Sequence, residues 1–151
     1  MFWLKSAAYQ RYGDAMHRLG VCYEYGDGVE QNWEHAVHWF REAAESGVSA
    51  AMTDLGYCYE KGCGVEQSWE QAFSWYRRSA ECGNPVSMSN LGLCYQMGYG
   101  VEQNWQEAVK WYERGAQCGN LQSMHNLACC YEHGEGVEQN MTEAIRWYTA
   151  A

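Results

Sequence analysis

Apolar residues recur at steps of three and four along most of the chain, which is the spacing of one face of an α-helix. In the segment 50–61 this face holds Ala51, Met52, Leu55, Cys58 and Tyr59. The glycine-rich stretch at 62–64 then predicts the end of the helix, because glycine readily adopts the left-handed conformation found at helix C-termini. A second apolar face follows, made of Trp69, Ala72, Phe73 and Tyr76. The pattern therefore predicts two amphipathic helices joined by a short turn.

The same pattern returns four times at a fixed interval. A Leu-(Gly/Ala)-x-Cys-Tyr motif begins at Leu19, Leu55, Leu91 and Leu127. Successive copies are 36 residues apart, without insertion or deletion. A constant period of this size is typical of an array of structural repeats. Because each repeat packs only on its neighbours, an array offers a long surface rather than one enclosed pocket. The sequence therefore favours a binding scaffold.

Polar residues before the second helix of each repeat predict where that helix begins. Ser68 with Gln71 has the spacing of a capping box, in which each side chain bonds to the other residue's backbone N–H. The arrangement recurs at Asn104 with Glu107 and at Asn140 with Glu143.

Small residues lie in the middle of each first helix, at Gly20, Gly56, Gly92 and Ala128. Glycine inside a helix costs about 1 kcal/mol relative to alanine. Its repetition therefore predicts a close approach by the second helix of the same pair. The contacts expected on that helix are the small residues Ala36, Ala72, Ala108 and Ala144.

Charge and composition narrow the classes of function. The 151 residues carry a net charge of −9, and the 10 basic residues are scattered. Nucleic-acid binding depends on clustered Lys and Arg, so we expect no nucleic-acid partner. No apolar run approaches the roughly 18 residues of a membrane helix, and no stretch has the form of a signal peptide. We therefore expect no membrane insertion.

The repeated unit resembles a known motif. Its Leu-Gly-x-x-Tyr-x-x-Gly-x-Gly-Val, polar cap, Ala-x-x-Trp-Tyr/Phe and Ala-x-x-Gly are similar to the Sel-one-like repeat, a relative of the tetratricopeptide repeat, from Trp3 to Tyr148. The resemblance implies an all-α fold, a right-handed superhelix (solenoid) of antiparallel helix pairs. It also implies a single domain with a partial repeat at 1–13 and repeats at about 14–48, 49–84, 85–120 and 121–151, the last one truncated. The expected function is that of a non-enzymatic scaffold or adaptor binding a protein or peptide.

Two other functions stay open. The array could be the regulatory segment of a larger protein with a catalytic domain, or a module that binds cell-wall fragments or β-lactams. No Ser-x-x-Lys occurs, which counts against penicillin-recognising serine chemistry. The Gly-x-Gly-Val turns follow a helix and lack the third glycine of a dinucleotide site. We therefore expect no catalytic residue and no cofactor.

Both ends of the sequence fall inside a second helix. Trp3 matches Trp39, and Ala151 matches Ala43. Neither end has the polar capping repeat that arrays normally need for solubility. We therefore expect a piece of a longer array, with uncapped ends that allow end-to-end self-association.

Four of the eight cysteines are predicted on the buried face of a first helix, at Cys22, Cys58, Cys94 and Cys130. The family that the chain resembles has a secreted branch that bridges cysteines eight positions apart. Here Cys82 and Cys94, like Cys118 and Cys130, are twelve apart. We interpret the cysteines as reduced thiols that act as small apolar side chains, which implies a reducing, cytoplasmic location. The alternative is a longer secreted or envelope protein whose targeting segment lies outside this sequence.

His125, Cys129 and His133 share one helical face. Residues eight apart on a helix are separated by about 12 Å, whereas Zn²⁺ takes four ligands at ~2.0–2.3 Å. We therefore expect no metal site.

In superhelices of the kind that the resemblance implies, the first helix of each pair lines the concave wall. Outward positions on these helices vary between repeats while inward positions stay constant, which gives a scaffold its specificity. The predicted partner-binding residues are Arg18, Val21, Tyr25, Asp54, Tyr57, Lys61, Asn90, Leu93, Met97, Asn126, Cys129 and His133. Tetratricopeptide relatives hold a peptide backbone with an Asn that matches the row Asp54, Asn90 and Asn126, and an amide can donate and accept at once. The alternative is that this row is merely solvated.

A second row starts the second helices, at Trp33, Trp69, Trp105 and Met141. Its helical spacing with Ala36, Val37 and Phe40 favours a place in the core. An exposed aromatic strip on which a partner docks is the alternative.

Overall fold

The computed structural model describes residues 1–9 and 12–151, and over these residues the chain is helical with no strand. The helices are α1 (Phe2–Tyr9), α2 (Gly13–Tyr25), α3 (Trp33–Glu45), α4 (Ser49–Lys61), α5 (Trp69–Glu81), α6 (Pro85–Met97), α7 (Trp105–Gln117), α8 (Leu121–His133) and α9 (Met141–Ala150). We call α2, α4, α6 and α8 the first-type helices, and α3, α5, α7 and α9 the second-type helices. The prediction of two helices per repeat is confirmed.

The chain divides into two compact units, Met1–Ser79 (unit 1) and Ala80–Ala151 (unit 2). In unit 1, α2 packs against α1 and α3, and α3 packs against α4. In unit 2, α7 packs against α6 and α8, and α8 packs against α9. Sequence neighbours are therefore also spatial neighbours, as expected when each amphipathic helix must cover the apolar face of the next.

Glycine and asparagine set the helix ends. Each first-type helix ends at a left-handed glycine, with φ between 72° and 75° at Gly26, Gly62, Gly98 and Gly134. The predicted caps of the second-type helices are present: Asn104 Oδ1 accepts from the N–H of Glu107 at 3.0 Å, and Ser68 Oγ accepts from Gln71 at 3.3 Å.

The return bond of the predicted capping box is replaced by a different one. The backbone N–H of Asn104 donates to the carbonyl of Tyr95 at 2.8 Å, and the N–H of Asn140 donates to Tyr131 at 2.9 Å. The N3 carboxylates instead pair one turn further along, as Glu107 does with Lys110. The start of each second-type helix is thus hydrogen-bonded to the preceding first-type helix.

The expected close approach of paired helices is present, with a different contact. A Cβ on Gly92 would lie 2.5 Å from the ring of Tyr112, and one on Gly20 would lie 2.6 Å from the ring of Phe40. The glycines therefore make room for a buried aromatic ring rather than for a small side chain. Beside Gly20 the small partner Ala36 also contributes a nearby atom, its carbonyl oxygen at 3.3 Å from that Cβ position.

Each unit has its own apolar core. In unit 1 the fully buried side chains include Phe40 and Leu55, and in unit 2 they include Tyr112 and Leu127. These are inward positions of the repeat. The variable outward positions of the same helices remain available for other contacts.

Candidate functional site

All twelve residues predicted to bind a partner lie on first-type helices. In unit 1 they are carried by α2 and α4, and in unit 2 by α6 and α8, which contact each other. All of their side chains are exposed or half-buried. Val21 is half-buried and also packs against the core of unit 1.

In unit 1 a side-chain hydrogen bond joins the two first-type helices. His17 Nε2 on α2 lies 2.6 Å from Asp54 Oδ2 on α4. Asp54 stands at the position of the predicted asparagine row, so this carboxylate already has a partner within the fold. A peptide backbone would have to compete with His17 for it.

Two tyrosines give the unit 1 surface an aromatic character. Tyr25 is 71% exposed and Tyr57 is 44% exposed. Lys61 Nζ lies 5.9 Å from the centroid of the Tyr57 ring and 2.7 Å from Glu60 Oε1. Beside them, burial and then the charge of Asp54 raise the pKa of the Glu24 carboxyl. The surface is therefore both aromatic and acidic.

Arg18 faces a different part of unit 1. It lines an open cavity of about 570 Å³ whose wall also includes Trp3, Leu4 and Cys22. The cavity lies between α1 and α2. Sequence reasoning missed it, because the spacing of residues along the chain does not show how much space two packed helices leave between them.

In unit 2 the asparagine row behaves differently at its two positions. Asn126 Oδ1 accepts from Gln122 Nε2 at 2.9 Å. Asn90 is half-buried, and no residue of the part of the chain that the structure describes hydrogen-bonds to its side-chain amide. The Asn90 amide can therefore donate and accept at once.

Apolar side chains stand near the Asn90 amide along α6. Leu93 is 42% exposed and Met97 is 49% exposed, and they follow Asn90 at steps of three and four, so the three share one helical face. Methionine adapts its shape to different apolar partners. This part of unit 2 is thus a mixed amide and apolar surface.

On α8 the predicted site residues belong to a hydrogen-bonded cluster with α9. Tyr148 Oη donates to Glu132 Oε2 at 2.7 Å and lies 3.2 Å from Cys129 Sγ. These bonds raise the pKa of the Tyr148 hydroxyl. The ring of His133 bonds to the carbonyl of Cys129 at 2.9 Å. Both the thiol and the backbone carbonyl of Cys129 therefore already have partners within unit 2.

Sequence reasoning also missed a bond that links the helices of a pair. A tyrosine hydroxyl of the second-type helix donates to the side chain 16 residues earlier: Tyr76 to Glu60, Tyr112 to Gln96 and Tyr148 to Glu132, each at 2.7 Å. The signal was present, because Tyr and Glu/Gln occur together at these positions in three repeats. The first repeat has Phe40 there.

The cysteines on first-type helices lie among apolar side chains. Cys58, Cys94 and Cys130 are at most 2% exposed, and Cys22 is half-buried. Burial raises the pKa of the Cys58 and Cys130 thiols to about 12. Because the thiolate is the reactive form, these side chains are poor nucleophiles and poor metal ligands at neutral pH.

The described residues were also compared with the requirements of a metal site and of a membrane-spanning helix. Cys129 Sγ and His125 Nε2 are 3.8 Å apart, but the described residues contain no group of three or more His, Cys, Asp or Glu that could hold a metal ion. No helix within residues 1–9 and 12–151 has the length and apolar character needed to cross a membrane.

The aromatic row at the start of the second-type helices is mostly a packing feature. Trp33 is half-buried and packs against the core of unit 1, and Trp105 does the same in unit 2. Met141 is 52% exposed. Where tryptophan occupies these two positions, the structure supports the core interpretation rather than a docking strip.

Comparison with known proteins identifies the family to which the chain belongs. The Sel1 repeat family matches residues 13–48, 49–84, 85–120 and 121–151. The chain therefore belongs to the Sel1 repeat family, and the predicted all-α solenoid fold is confirmed. Proteins of this family generally act as protein-interaction scaffolds, and the fold is typically non-catalytic.

Solved structures of this family are similar over nearly the whole chain. A Sel1 repeat protein from Oxalobacter formigenes is 35% identical with a TM-score of 0.92, over 98% of this chain and 59% of its own. The protective antigen c5321 of uropathogenic Escherichia coli, which has an SLR fold, is 36% identical with a TM-score of 0.95, over 99% of this chain and 32% of its own. The chain thus spans between a third and three fifths of these relatives.

A more distant structure shares the fold. Cysteine-rich protein B of Helicobacter pylori is 24% identical with a TM-score of 0.65, over 80% of this chain and 91% of its own. A search of curated proteins gives no match.

Proposed function

We propose that the chain is a non-enzymatic scaffold that binds an extended segment of a partner protein on the outward faces of its first-type helices. The observation that carries this proposal is the half-buried, unpartnered amide of Asn90 beside exposed Leu93 and Met97 in unit 2. A surface of this kind fits a peptide, because a peptide presents both backbone amides and apolar side chains.

The role proposed for Asn90 is to hold the peptide backbone. A backbone amide offers one donor and one acceptor, and the asparagine side chain can satisfy both. A half-buried amide with no partner loses part of its hydration, so an incoming peptide bond that pairs with it restores the lost hydrogen bonds. Asn126 is a weaker second contact, since its oxygen already accepts from Gln122.

Leu93 and Met97 supply the apolar part of the contact. Both are more than 40% exposed, and burying apolar surface contributes about 25 cal/mol per Å². An apolar side chain of the partner, placed on the same side of an extended backbone as the bonded amide, would cover them.

In unit 1 the proposed contacts are of a different kind. Exposed Tyr25 and Tyr57 stand beside Glu24 and Asp54. Tyrosine offers a rigid apolar ring with a polar edge, so we assign this surface to side chains of the partner rather than to its backbone.

A peptide selected for binding tests the proposal. Peptides of about 15 residues displayed on phage are panned against the protein, and the affinity of a selected peptide is measured by fluorescence anisotropy. We expect Asn90→Ala to weaken binding about tenfold, which corresponds to the loss of two hydrogen bonds of about 0.5–1.5 kcal/mol each. Asn126→Ala should weaken it less, and the melting temperature should stay the same in both.

Gln106→Ala, an exposed change on the second-type helix α7, is the matched control and should leave the affinity unchanged. Selected peptides whose affinity ignores Asn90→Ala and Leu93→Ser would contradict the proposal. A muropeptide or β-lactam that raises the melting temperature, together with an absence of selected peptides, would favour the cell-wall alternative instead.

A further inference from the structure

Glu24 on α2 lacks two groups that hold its counterpart one repeat later. On α4, Glu60 accepts a hydrogen bond from a tyrosine hydroxyl of α5 and pairs with Lys61 Nζ, both at 2.7 Å. In the first repeat the ring at the position of that tyrosine is Phe40, which has no hydroxyl, and the residue after Glu24 is Tyr25 instead of a lysine. The sequence therefore replaces both groups at Glu24.

A second carboxylate, that of Asp54 on α4, acts on Glu24 across the two helices. Burial, and then the charge of Asp54, raise the pKa of the Glu24 carboxyl, and the charge of His17 lowers it by less. His17 Nε2 lies 2.6 Å from Asp54 Oδ2, so α2 and α4 lie side by side here. Because two half-buried negative charges repel each other, a cation placed between them would stabilise both.

Two exposed tyrosines stand beside these carboxylates. Tyr25 hydrogen-bonds to Glu24, and the charge of that carboxyl raises the pKa of the Tyr25 hydroxyl. Asp54 and Tyr57 on α4 add to this effect, so the two helices form one surface. Tyr57 follows Asp54 by three residues and lies on the same face of α4. We call Glu24, Tyr25, Asp54 and Tyr57 the acidic–aromatic surface.

A cation of the chain itself already lies against one of these rings. Lys61 Nζ is 5.9 Å from the centroid of the Tyr57 ring and 2.7 Å from Glu60 Oε1. An ammonium group is attracted both by the face of an aromatic ring and by a carboxylate. Tyr25 stands 36 residues before Lys61. Tyr25 and Glu24 therefore offer a ring and a carboxylate in a repeat that has no lysine at this position.

The charges of this surface indicate what kind of partner it takes. An acidic segment would be repelled by Glu24 and Asp54, in a chain whose net charge is already −9. A purely apolar segment would bury the two carboxylates without pairing them, which is unfavourable. A lysine or arginine side chain packs its methylene groups on the tyrosine rings and carries its charge to the carboxylates. A basic residue therefore complements the surface in both respects.

We propose that the acidic–aromatic surface binds a lysine or arginine side chain of the partner protein. The inference rests on the proposed function, because it names the side chain that the unit 1 surface takes from the bound segment. It does not depend on Asn90, so the two can fail separately.

A small probe tests the surface by itself. N-acetyl-arginine methylamide is titrated into protein labelled for heteronuclear NMR, in about 150 mM NaCl to screen distant charges. Its neutral isostere, N-acetyl-citrulline methylamide, is the matched ligand. We expect the arginine probe to shift the amide signals of residues 21–25 and 54–61 at millimolar concentrations, and the citrulline probe to bind about fivefold more weakly. Asn90→Ala should leave both titrations unchanged.

Variants of the surface identify the groups that bind. Glu24→Gln combined with Asp54→Asn should abolish the preference for arginine over citrulline. Tyr25→Ser, whose exposed position protects the fold, should weaken the binding of the arginine probe. Glu102→Gln combined with Glu138→Gln removes the same charge from exposed positions of unit 2. This matched control should leave the shifts unchanged, and the melting temperature of each variant checks its fold.

Three results would overturn the inference. They are equal binding of the arginine and citrulline probes, a preference for arginine that survives Glu24→Gln with Asp54→Asn, and a preference that the unit 2 control abolishes as well. If selected peptides depend on Asn90 while the arginine probe gives no shifts, the proposed function stands and this inference falls. If the probe binds as expected and no peptide is selected, the unit 1 surface stands and the role of Asn90 falls.

Discussion

The α2–α3 pair of unit 1 and the α6–α7 pair of unit 2 share one packing solution and differ in the polar bond that accompanies it. In both, a glycine of the first-type helix lies against a fully buried aromatic ring, Gly20 against Phe40 and Gly92 against Tyr112. In unit 2 the Tyr112 hydroxyl donates to Gln96 at 2.7 Å. In unit 1 the ring has no hydroxyl.

The residue that would accept this bond in unit 1 is Glu24, and burial raises the pKa of its carboxyl. The turn after the first-type helix nevertheless has the same hydrogen bond in both pairs: Gln31 donates to the carbonyl of Glu24, and Gln103 donates to that of Gln96, both at 2.7 Å. The comparison shows that the glycine–ring contact and the turn define the pair. The tyrosine bond is an addition that orients a side chain near the outward face.

The largest effect should come from filling the space beside the ring. Gly92→Ala places a methyl group 2.5 Å from Tyr112, and overpacking of this kind costs about 1–3 kcal/mol. The higher helix propensity of alanine offsets about 1 kcal/mol of this cost. We therefore expect a net loss of up to about 2 kcal/mol in the free energy of unfolding, measured by urea denaturation.

Gly20→Ala is the matched variant in unit 1 and should lose less, because the Phe40 ring is not held by a hydroxyl bond. In the last repeat Ala128 and Tyr148 stand at the positions of Gly92 and Tyr112, so alanine is native beside a ring position where the side chain is 37% exposed. Equal losses at Gly20 and Gly92 would contradict the idea that the hydroxyl bond fixes the ring.

Exchanging the rings tests the bond directly. Tyr112→Phe removes the donor to Gln96 and should lower the free energy of unfolding by about 1 kcal/mol. Phe40→Tyr supplies the donor to Glu24 and should raise it by a similar amount at pH 7. Two losses would mean that Glu24 lies beyond reach of the new hydroxyl. Chemical denaturation of both variants, with Gln106→Ala as a neutral exposed control, decides the point.

The sequence predicted the helices, the caps and the glycine approach because these depend on residues close to one another or on the repeat itself. It did not predict the second half of the capping bonds, since the N–H of Asn104 reaches the carbonyl of Tyr95 across a turn whose path the spacing does not reveal. Nor did it predict the pairing of His17 with Asp54, which are 37 positions apart. Residues separated by one repeat period plus one residue come into contact only when the helices of neighbouring repeats pack side by side.

For the candidate binding surface, the sequence predicted which residues lie on it but not which of them are hydrogen-bonded within the fold. All twelve residues lie on first-type helices, because the residues left over from an amphipathic face must point outward. The spacing could not show which of these side chains have a hydrogen-bond partner within the fold. Asp54 and Asn126 have partners inside the fold, and Asn90 has none among the described residues. The binding role of the twelve residues stays a prediction.

The smallest effect concerns the charge of Glu24. Burial, and then the negative charge of Asp54, raise the pKa of this carboxyl in the folded protein, so the folded state binds a proton more readily than the unfolded state. The ionised form therefore lowers stability above the folded pKa, and this penalty disappears as the pH falls below the unfolded value of about 4.3. We expect Glu24→Gln to be slightly more stable than the parent at pH 7 and equal to it near pH 4. Because the side chain is only half-buried, screening by solvent keeps the difference small.

The Phe40→Tyr background sharpens this measurement. A tyrosine hydroxyl that donates to the Glu24 carboxylate favours the charged form and lowers its pKa. In that background Glu24→Gln should lose its advantage at pH 7, because the substitution now removes a useful acceptor. Urea denaturation of the four variants between pH 4 and pH 7 gives the comparison. A stability difference between Glu24→Gln and the parent that stays constant over this range would show that the carboxyl titrates alike in the folded and unfolded states.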